Sequence, residues 1–454
     1  MTAGTVTPVA FVDEGLGNSS YLVDLGDGRA LVVDPARDAT PYLAAAERAG
    51  LSIAFTVETH LHADFLTGSR ELAARGAAVL APRAGSIDWP HRGFDHGDEL
   101  DLSGLRLQAV GTPGHTPEHL SWLLHDDDAP VGLFSGGALL VDSVARTDLI
   151  APDQTEPLAR ALWRSLHERI LTLPDDLPVY PTHGAGSFCS ATTSGERTTT
   201  IGRERAANPL LGAPDEDTFV ARLLAGYGSY PPYFLRLRER NRRGPDVLGS
   251  PFPPLPALRV DDVRRRLADG AILVDVRPVE SWAAAHVPDA ISIPLRAQFG
   301  SWLGWLVPDD RPLIFLLDHG QDGADLVRQA RTIGYDQAAG ALAGGIDEWQ
   351  AAGYAVTSTE LIDAARLDRP VLDVRQNNEV AAGHLPGAVH VELGDIADHG
   401  RGLPTGELAV MCGHGERAAT AASLLEKAGR RDIAVVIGGP DDWRDATGDN
   451  LQSG

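Results

Sequence analysis

The stretch Thr59-His60-Leu61-His62-Ala63-Asp64-Phe65 follows a β-rich run over residues 53–59 and precedes a predicted helix over residues 66–74. His60 and His62 stand two positions apart, so in extended backbone both imidazoles point to the same side. Asp64 and the following helix then hold the loop in place. The two histidines make this loop a candidate metal site, provided that further ligands come from elsewhere in the chain.

Two further histidines lie in turn-rich loops. His115 ends the run Gly111-Thr112-Pro113-Gly114-His115, and His183 follows Tyr180-Pro181-Thr182. Neutral imidazoles that come together from separate loops are typical of a transition-metal site. Any one of these histidines alone is more often a surface residue, so scattered surface histidines are the alternative at this point. Three others are expected to be surface or core residues: His119, His125 and His167.

The pattern around these loops alternates strands with turns and then becomes helical. Residues 21–25 and 30–34 flank Gly26-Asp27-Gly28, which predicts a β-hairpin. Residues 157–173 show helical spacing of apolar side chains. Strands interleaved with helices predict an α/β layered domain. Residues 238–256 are charged and rich in proline and glycine, so we expect a linker there.

The residues beyond this linker contain an internal repeat. Asp275-Val276-Arg277 recurs as Asp373-Val374-Arg375, which is 98 positions later. His286-Val287-Pro288 recurs as His384-Leu385-Pro386 with the same offset of 98. Equal offsets at separate points predict that the second half consists of two copies of one α/β unit.

The second copy carries a cysteine in a short loop. A predicted strand over residues 408–411 runs into Cys412-Gly413-His414-Gly415-Glu416-Arg417, and a helical stretch follows. A thiolate at a helix N-terminus, ringed by backbone N–H groups, is stabilised. Gly413 and Gly415 permit the tight loop, and Arg417 supplies hydrogen-bond donors. A lone cysteine is more often a buried structural residue, but this setting predicts a nucleophilic Cys412.

Residues 257–454 closely resemble the rhodanese family, in which a Cys-x-x-Gly-x-Arg loop carries sulfane sulfur as a cysteine persulfide. The loop from Cys412 to Arg417 matches this pattern, with Cys412 and Arg417 in the catalytic positions. In the first copy Asp318 stands at the cysteine position and Gly323 at the arginine position. Because an aspartate cannot carry transferable sulfur, we expect the first copy to be an inert spacer or docking surface.

The first half resembles the metallo-β-lactamase superfamily and, within it, the persulfide dioxygenase branch. The resemblance rests on the order and spacing of residues 18–34, 60–64, 111–115 and 134–148. It implies an α/β fold, with an N-terminal αββα metallo-β-lactamase sandwich followed by two α/β rhodanese domains with central parallel sheets. The expected domain boundaries are residues 1–245, 246–356 and 357–454.

The same resemblance implies one metal ion per chain, either Fe(II) or Zn(II). The expected ligands are His60, His62, Asp64, His115 and His183. The dioxygenase branch completes a two-histidine, one-carboxylate triad with an aspartate, and here that position is Gly137. Water, His62 or Asp64 would then complete the shell, and three imidazoles suit zinc at least as well as iron. We expect low metal occupancy, and we expect an aspartate restored at position 137 to raise it.

The preferred interpretation combines the predicted metal site of the first domain with the cysteine loop of the last domain. A low-molecular-weight thiol persulfide is oxidised to sulfite at the metal, and Cys412 transfers sulfane sulfur to an acceptor such as sulfite. Cys189 is either a sulfur acceptor near the metal or a small buried residue. One alternative is a zinc-dependent thioester hydrolase fused to a sulfurtransferase. The other is a metal-free scaffold that leaves sulfur transfer as the only activity.

Composition restricts the partners. The 454 residues carry a formal net charge of −24 with a pI of about 4.9, so nothing would neutralise nucleic-acid phosphates or an anionic membrane. Cys189 and Cys412 are the only cysteines, too few for a disulfide framework. The first residues lack a basic region followed by an apolar core, so we expect no signal peptide, and no apolar run reaches the ~18 residues of a membrane helix. We expect a cytoplasmic protein whose partners are a thiol persulfide, thiosulfate or sulfite, with a homodimer left open.

Overall fold

The computed structural model describes residues 6–190, 194–399 and 402–453. It divides into two compact units, one formed by Met1–Pro253 with Arg331–Gly334 and the other by Pro254–Ala330 with Tyr335–Gly454. Residues 1–5, on which the expected absence of a leader partly rests, lie outside the described part. Within the described ranges, no helix is long and apolar enough to cross a membrane.

The first unit contains two six-stranded sheets. Its strands are β1 (Val9–Asp13), β2 (Asn18–Asp24), β3 (Arg29–Val33), β4 (Ser52–Val57), β5 (Ala78–Pro82), β6 (Arg92–Phe94), β7 (Glu99–Asp101), β8 (Leu105–Gly111), β9 (Leu120–Asp126), β10 (Ala129–Gly136), β11 (Pro178–Pro181) and β12 (Thr199–Thr200). The sheet orders are β1-β2-β3-β4-β5-β6 and β12-β11-β10-β9-β8-β7. β2 and β3 pair antiparallel as the predicted hairpin, and Gly26 and Gly28 in its turn have φ angles of 81° and 86°, which favour glycine.

Helices of this unit cover the outer faces of the two sheets, except that α6 packs on the loop after β4. The helices are α1 (Thr40–Ala49), α2 (Ser69–Ala73), α3 (Thr155–Ser165), α4 (Ile201–Ala207), α5 (Glu216–Ala225) and α6 (Phe234–Arg243). The inner faces share one apolar core, to which the first sheet contributes Tyr21 and Val33 and the second contributes Trp122 and Phe134. α1 and α2 pack on the first sheet, while α3 and α5 pack on the second. The layers are therefore αββα, as predicted.

The second unit contains two parallel five-stranded sheets. Its strands are β13 (Ala257–Leu258), β14 (Ile272–Asp275), β15 (Ile291–Ser292), β16 (Leu313–Leu316), β17 (Ala338–Leu342), β18 (Glu360–Asp363), β19 (Val371–Asp373), β20 (Val389–His390), β21 (Leu408–Met411) and β22 (Ile433–Ile437). Its helices are α7 (Val260–Ala268), α8 (Val279–Ala284), α9 (Phe299–Leu306), α10 (Gly323–Thr332), α11 (Gly345–Ala351), α12 (Asn377–Ala382), α13 (Ile396–His399), α14 (Glu416–Lys427) and α15 (Pro440–Thr447). The strand orders β13-β17-β16-β14-β15 and β18-β22-β21-β19-β20 are the same topology twice, which confirms the predicted repeat.

Two local predictions differ from the structure. The helix expected over residues 66–74 is the shorter α2, which begins at Ser69 with Gly68 as its N-cap, and the Gly68 N–H donates to the Pro35 carbonyl at 2.7 Å. The predicted linker over residues 238–256 begins inside α6. Phe234, Leu237 and Asn241 form a buried face of α6 at helical spacing, which the surrounding arginines obscure in the sequence.

Candidate metal centre and cysteine loop

Three histidines come together in the first unit at the carboxyl ends of three strands. His60 follows β4, His115 follows β8 and His183 follows β11. One ring nitrogen of each lies within 4.8 Å of the other two, and each residue is only 1% exposed. The Nε2 atoms of His60 and His183 are 3.5 Å apart. The structure thus groups three of the five predicted ligands at one point.

Neighbouring groups hold two of these rings in a defined tautomer. The Thr59 hydroxyl donates to Asp34 Oδ2 at 2.7 Å, so it accepts from His60 Nδ1 at 2.8 Å. His183 Nδ1 donates to Asn18 Oδ1 at 2.9 Å. In both rings Nδ1 carries the proton, and Nε2 is left with its lone pair.

The ring of His115 is oriented in the same way, because its Nδ1 donates to the Arg146 carbonyl at 2.6 Å. Burial, reinforced by neighbouring imidazoles, lowers the pKa of His115 to about 3 and holds the pKa of His60 well below its usual value. These rings are therefore neutral near pH 7. Asp64 Oδ1 is also buried, with no hydrogen-bond partner among the described residues. Neutral imidazoles beside an unpartnered carboxylate oxygen fit a transition metal such as zinc or iron.

His62, a further predicted ligand, lies between two buried carboxylates. Its Nε2 is 3.2 Å from Asp34 Oδ1 and 3.4 Å from Glu58 Oε2. Burial opposes the charged form of the ring, but the two carboxylates outweigh it and raise the pKa of His62 to about 10. In this arrangement the single positive charge of the imidazolium offsets one of the two possible negative charges of Asp34 and Glu58. His62 also forms a second group of candidate ligand atoms with Asp64 and His183, again within 4.8 Å.

Two histidine rings fill the space beside the glycine pair at the end of β10. A Cβ on Gly137 would lie 2.5 Å from His115 Cδ2, and a Cβ on Gly136 would lie 2.4 Å from His119 Nε2. Real Cβ atoms essentially never come that close, so a side chain at position 137 would have to displace the His115 ring. This packing argues against the expectation that an aspartate at position 137 restores the metal site.

His119 was not among the predicted site residues, yet it is 1% exposed and lies beside the centre. Its Nδ1 bonds the Thr112 hydroxyl at 2.8 Å, and its Nε2 accepts from the Gly137 N–H at 2.9 Å. Both ring nitrogens are engaged, so His119 supports the Gly137 backbone next to His115. The only sequence signal for this role is its position four residues after His115.

Cys189 is also buried near the centre. It is 1% exposed, and its Sγ lies 3.8 Å from Asp64 Oδ2. Burial, with a smaller contribution from Asp64, raises the pKa of the thiol well above its usual value. The thiol is therefore protonated at neutral pH and is a weak nucleophile there. Its carbonyl accepts from the Arg146 N–H at 2.9 Å, which ties its loop to the segment that orients His115.

Cys412 occupies the turn between β21 and α14 in the second unit. It is 1% exposed, and the Gly415 N–H donates to its Sγ at 3.1 Å. Gly415 has a φ of 119°, a conformation that favours glycine. Gly439 also approaches closely, since a Cβ there would lie 2.6 Å from the Gly413 carbonyl oxygen. One backbone N–H, that of Gly415, therefore contacts the sulfur, and the close approach of Gly439 packs against the loop backbone.

Arg417 is fixed by a residue that sequence reasoning missed. Its two terminal nitrogens donate to Glu379 Oε2 at 2.6 Å and Oε1 at 2.8 Å, a bidentate pair. Glu379 lies on α12, and its only signal is its place in the helix after the Asp-Val-Arg motif. Of the other loop residues, His414 is exposed, and Glu416 is half-buried and lies 3.5 Å from Arg296.

In the first copy, the residue at the cysteine position is held by hydrogen bonds from neighbouring side chains. Asp318 Oδ2 accepts from the Ser281 hydroxyl at 2.6 Å, and the Asp318 N–H donates to Gln321 Oε1 at 2.7 Å. Ser281 stands at the repeat position of Glu379, 98 residues earlier. The nucleophile and the glutamate are therefore replaced together, in keeping with an inert copy.

Comparison with known proteins covers both units. The metallo-beta-lactamase superfamily model matches residues 13–183, and the rhodanese-like domain model matches residues 259–352 and 357–446. A crystal structure of a metallo-beta-lactamase from Staphylococcus aureus subsp. aureus COL is similar with a TM-score of 0.66 and 28% identity, covering 74% of this chain and 99% of that one.

Two kinds of curated relative match the first unit. The persulfide dioxygenase ETHE1 of Homo sapiens is 33% identical over 184 residues, which is 39% of this chain and 68% of that protein. A hydroxyacylglutathione hydrolase of Rhodopseudomonas palustris (strain BisB18) is 31% identical over 254 residues, which is 50% of this chain and 94% of that protein. The chain therefore belongs to the metallo-beta-lactamase superfamily, with a first domain homologous to persulfide dioxygenases and two rhodanese-like domains after it.

Proposed function

We propose that this chain is an enzyme of sulfur metabolism that oxidises a low-molecular-weight thiol persulfide at a metal centre and transfers sulfane sulfur through Cys412. The observation that carries the proposal is the group formed by His60, His115 and His183, buried imidazoles in a domain homologous to persulfide dioxygenases. The oxidation balances as RSSH + O2 + H2O → RSH + H2SO3.

The chain's own residues prepare this centre in three ways. Asn18 and Thr59 keep His183 and His60 in the tautomer that presents Nε2. The burial of the three rings keeps bulk water away from the reacting atoms. Asp64, whose buried Oδ1 has no hydrogen-bond partner among the described residues, is available as a further ligand beside these rings. A bound metal would supply Lewis acidity and, in the case of iron, redox chemistry.

Sulfur transfer is assigned to Cys412. Its thiolate attacks the outer sulfur of a persulfide or of thiosulfate, the S–S bond of the donor breaks, and the thiol or sulfite leaves. The Cys412 persulfide, held by the Gly415 N–H, then passes its outer sulfur to an acceptor such as sulfite, giving thiosulfate. Both activities on one chain raise the effective concentration of the shared sulfur compounds.

A second candidate is a zinc-dependent thioester hydrolase fused to the sulfurtransferase. It is favoured by the hydroxyacylglutathione hydrolase relative, whose alignment spans 94% of that protein, and by a centre of three histidines with Gly137 at the carboxylate position. Zinc would lower the pKa of a bound water to ~7 for attack on the thioester. The third candidate is a metal-free scaffold in which only Cys412 is active.

Metal content separates these candidates. The full chain is purified without oxygen and analysed for iron and zinc. The iron-loaded and the zinc-loaded protein are then each assayed with glutathione persulfide and with a glutathione thioester. Iron with oxygen uptake supports the dioxygenase, whereas zinc with thioester cleavage supports the hydrolase. Protein that takes up neither metal yet transfers sulfur supports the scaffold and refutes the proposal.

A further inference from the structure

Helix α6 lies beyond residues 13–183, the range that the superfamily model matches, and its buried face contacts the loop of the candidate metal ligands. Asn241 on this face is 2% exposed. Its Nδ2 donates to the carbonyls of His62 and Phe65, both at 2.8 Å, and its Oδ1 accepts from the Thr67 N–H at 2.9 Å. One amide side chain therefore holds the loop at three backbone positions.

A second contact from α6 reaches the loop through an acidic side chain. Arg238 donates to Glu118 Oε2 at 2.8 Å. Glu118 Oε1 in turn accepts from the N–H of Leu61, the residue between His60 and His62, at 3.1 Å. Arg238 and Glu118 therefore fix the loop at Leu61, one residue before His62. Asn241 instead bonds backbone groups between His62 and Thr67.

The loop itself has no regular secondary structure to fix its shape. Residues 59–66 lie between β4 and α2 and form neither helix nor strand ladder. The carbonyls of His62 and Phe65 would lose this partner without Asn241, and an unpaired buried carbonyl is costly. The backbone of α6 is itself held at Asn241, because Trp89 Nε1 donates to the main-chain carbonyl of Asn241 at 2.9 Å.

We propose that Asn241 is a positioning residue of the metal centre and that α6 is a brace that sets the geometry of the loop from His60 to Asp64. This inference rests on the proposed metal function. Groups that orient metal ligands without touching the metal typically change metal affinity 10–100-fold when they are removed. Asn241→Ala should therefore weaken Co(II) binding by about that factor and alter the Co(II) absorption spectrum.

Asn208 provides a matched control elsewhere in the first unit. It is 3% exposed, its Nδ2 donates to Ser143 O at 3.1 Å and to Glu204 Oε2 at 2.9 Å, and its Oδ1 accepts from the Leu210 N–H at 3.1 Å. Asn208→Ala thus removes a buried amide with the same number of bonds, two donated and one accepted. It should lower thermal stability comparably but leave Co(II) affinity within about twofold of the wild type, since its bonds do not reach the ligand loop.

The test is Co(II) titration of the full chain, with Zn(II) competition and a thermal melt for each variant. Arg238→Met is included because its side chain is 26% exposed and the variant should fold even if Asn241→Ala does not. It should weaken Co(II) binding several-fold. Equal losses in Asn241→Ala and Asn208→Ala, or unchanged affinity in Asn241→Ala or in Arg238→Met, would overturn the brace. Wild-type protein that binds neither metal would instead overturn the proposed metal function.

Discussion

Gly137→Ala is a minimal perturbation that tests how the candidate metal centre is packed. Its new Cβ would lie 2.5 Å from His115 Cδ2, 2.9 Å from His115 Cγ and 3.1 Å from Ala145 Cβ. The His115 ring cannot turn aside freely, because its Nδ1 donates to the Arg146 carbonyl. Either that hydrogen bond breaks or the backbone shifts, and both would move a candidate metal ligand.

The expected loss of stability in Gly137→Ala follows from the overpacking that the added methyl group causes. Extra methyl groups in a closely packed core cost about 1–3 kcal/mol of the free energy of unfolding. In domains of 150–250 residues each kcal/mol lowers the melting temperature by about 2–4 °C. A displaced His115 should also weaken Co(II) binding by at least about tenfold, judged against the 10–100-fold effects of merely orienting groups. Gly137→Asp should do the same or worse, although it adds a carboxylate.

Thermal melts and Co(II) titrations measure both effects. Gly228→Ala is the control, because a Cβ at Gly228 would meet nothing within 4 Å. This control should match the wild type in melting temperature and in affinity. If Gly137→Asp instead bound metal more tightly than the wild type at an unchanged melting temperature, the space beside His115 would be open and the reasoning refuted.

The remaining predictions concern the two cysteines and the second unit. Cys412→Ser should abolish thiosulfate:cyanide sulfur transfer without changing the melting temperature, whereas Cys189→Ser should retain this activity. The reverse pattern would show that Cys189 is the sulfur carrier. Glu379→Gln should lower kcat/KM for sulfur transfer several-fold, because it weakens the bidentate hold on Arg417, and an unchanged value would show that Arg417 needs no such support. Mass spectrometry after thiosulfate treatment should find one added sulfur on the wild type and none on the Cys412→Ser, Cys189→Ser double variant. An adduct on the double variant would mean that the first copy is not inert.

Much of the architecture could be predicted because its signals are local in the sequence. The spacing of His60 and His62 after a strand predicts a candidate ligand loop from a few neighbouring residues, although the other ligands must come from elsewhere. The 98-residue offset between Asp275 and Asp373 indicates a duplicated unit without any knowledge of its fold. The Cys412 loop combines a strand, two glycines and a helix start within a few residues, so its shape is largely determined locally.

The rest of the site depends on packing between distant segments. Asn241 is separated from His62 by 179 residues and lies in a helix whose arginines resemble a charged linker. Glu379 is 38 residues from Arg417 and has no motif of its own. At Gly137 the sequence shows only that a carboxylate is missing. It cannot show that the His115 ring already fills the space.

Oxygen uptake by the iron-reconstituted full chain with glutathione persulfide tests the central claim most directly. The account predicts oxygen consumption with an equal amount of sulfite formed when a scavenger prevents its further reaction. This activity should be lost in His115→Ala, which removes one of the three converging imidazoles, and kept in Cys412→Ser, which leaves the metal centre intact. Iron-loaded protein that consumes no oxygen, or oxygen uptake that survives His115→Ala, would contradict the account.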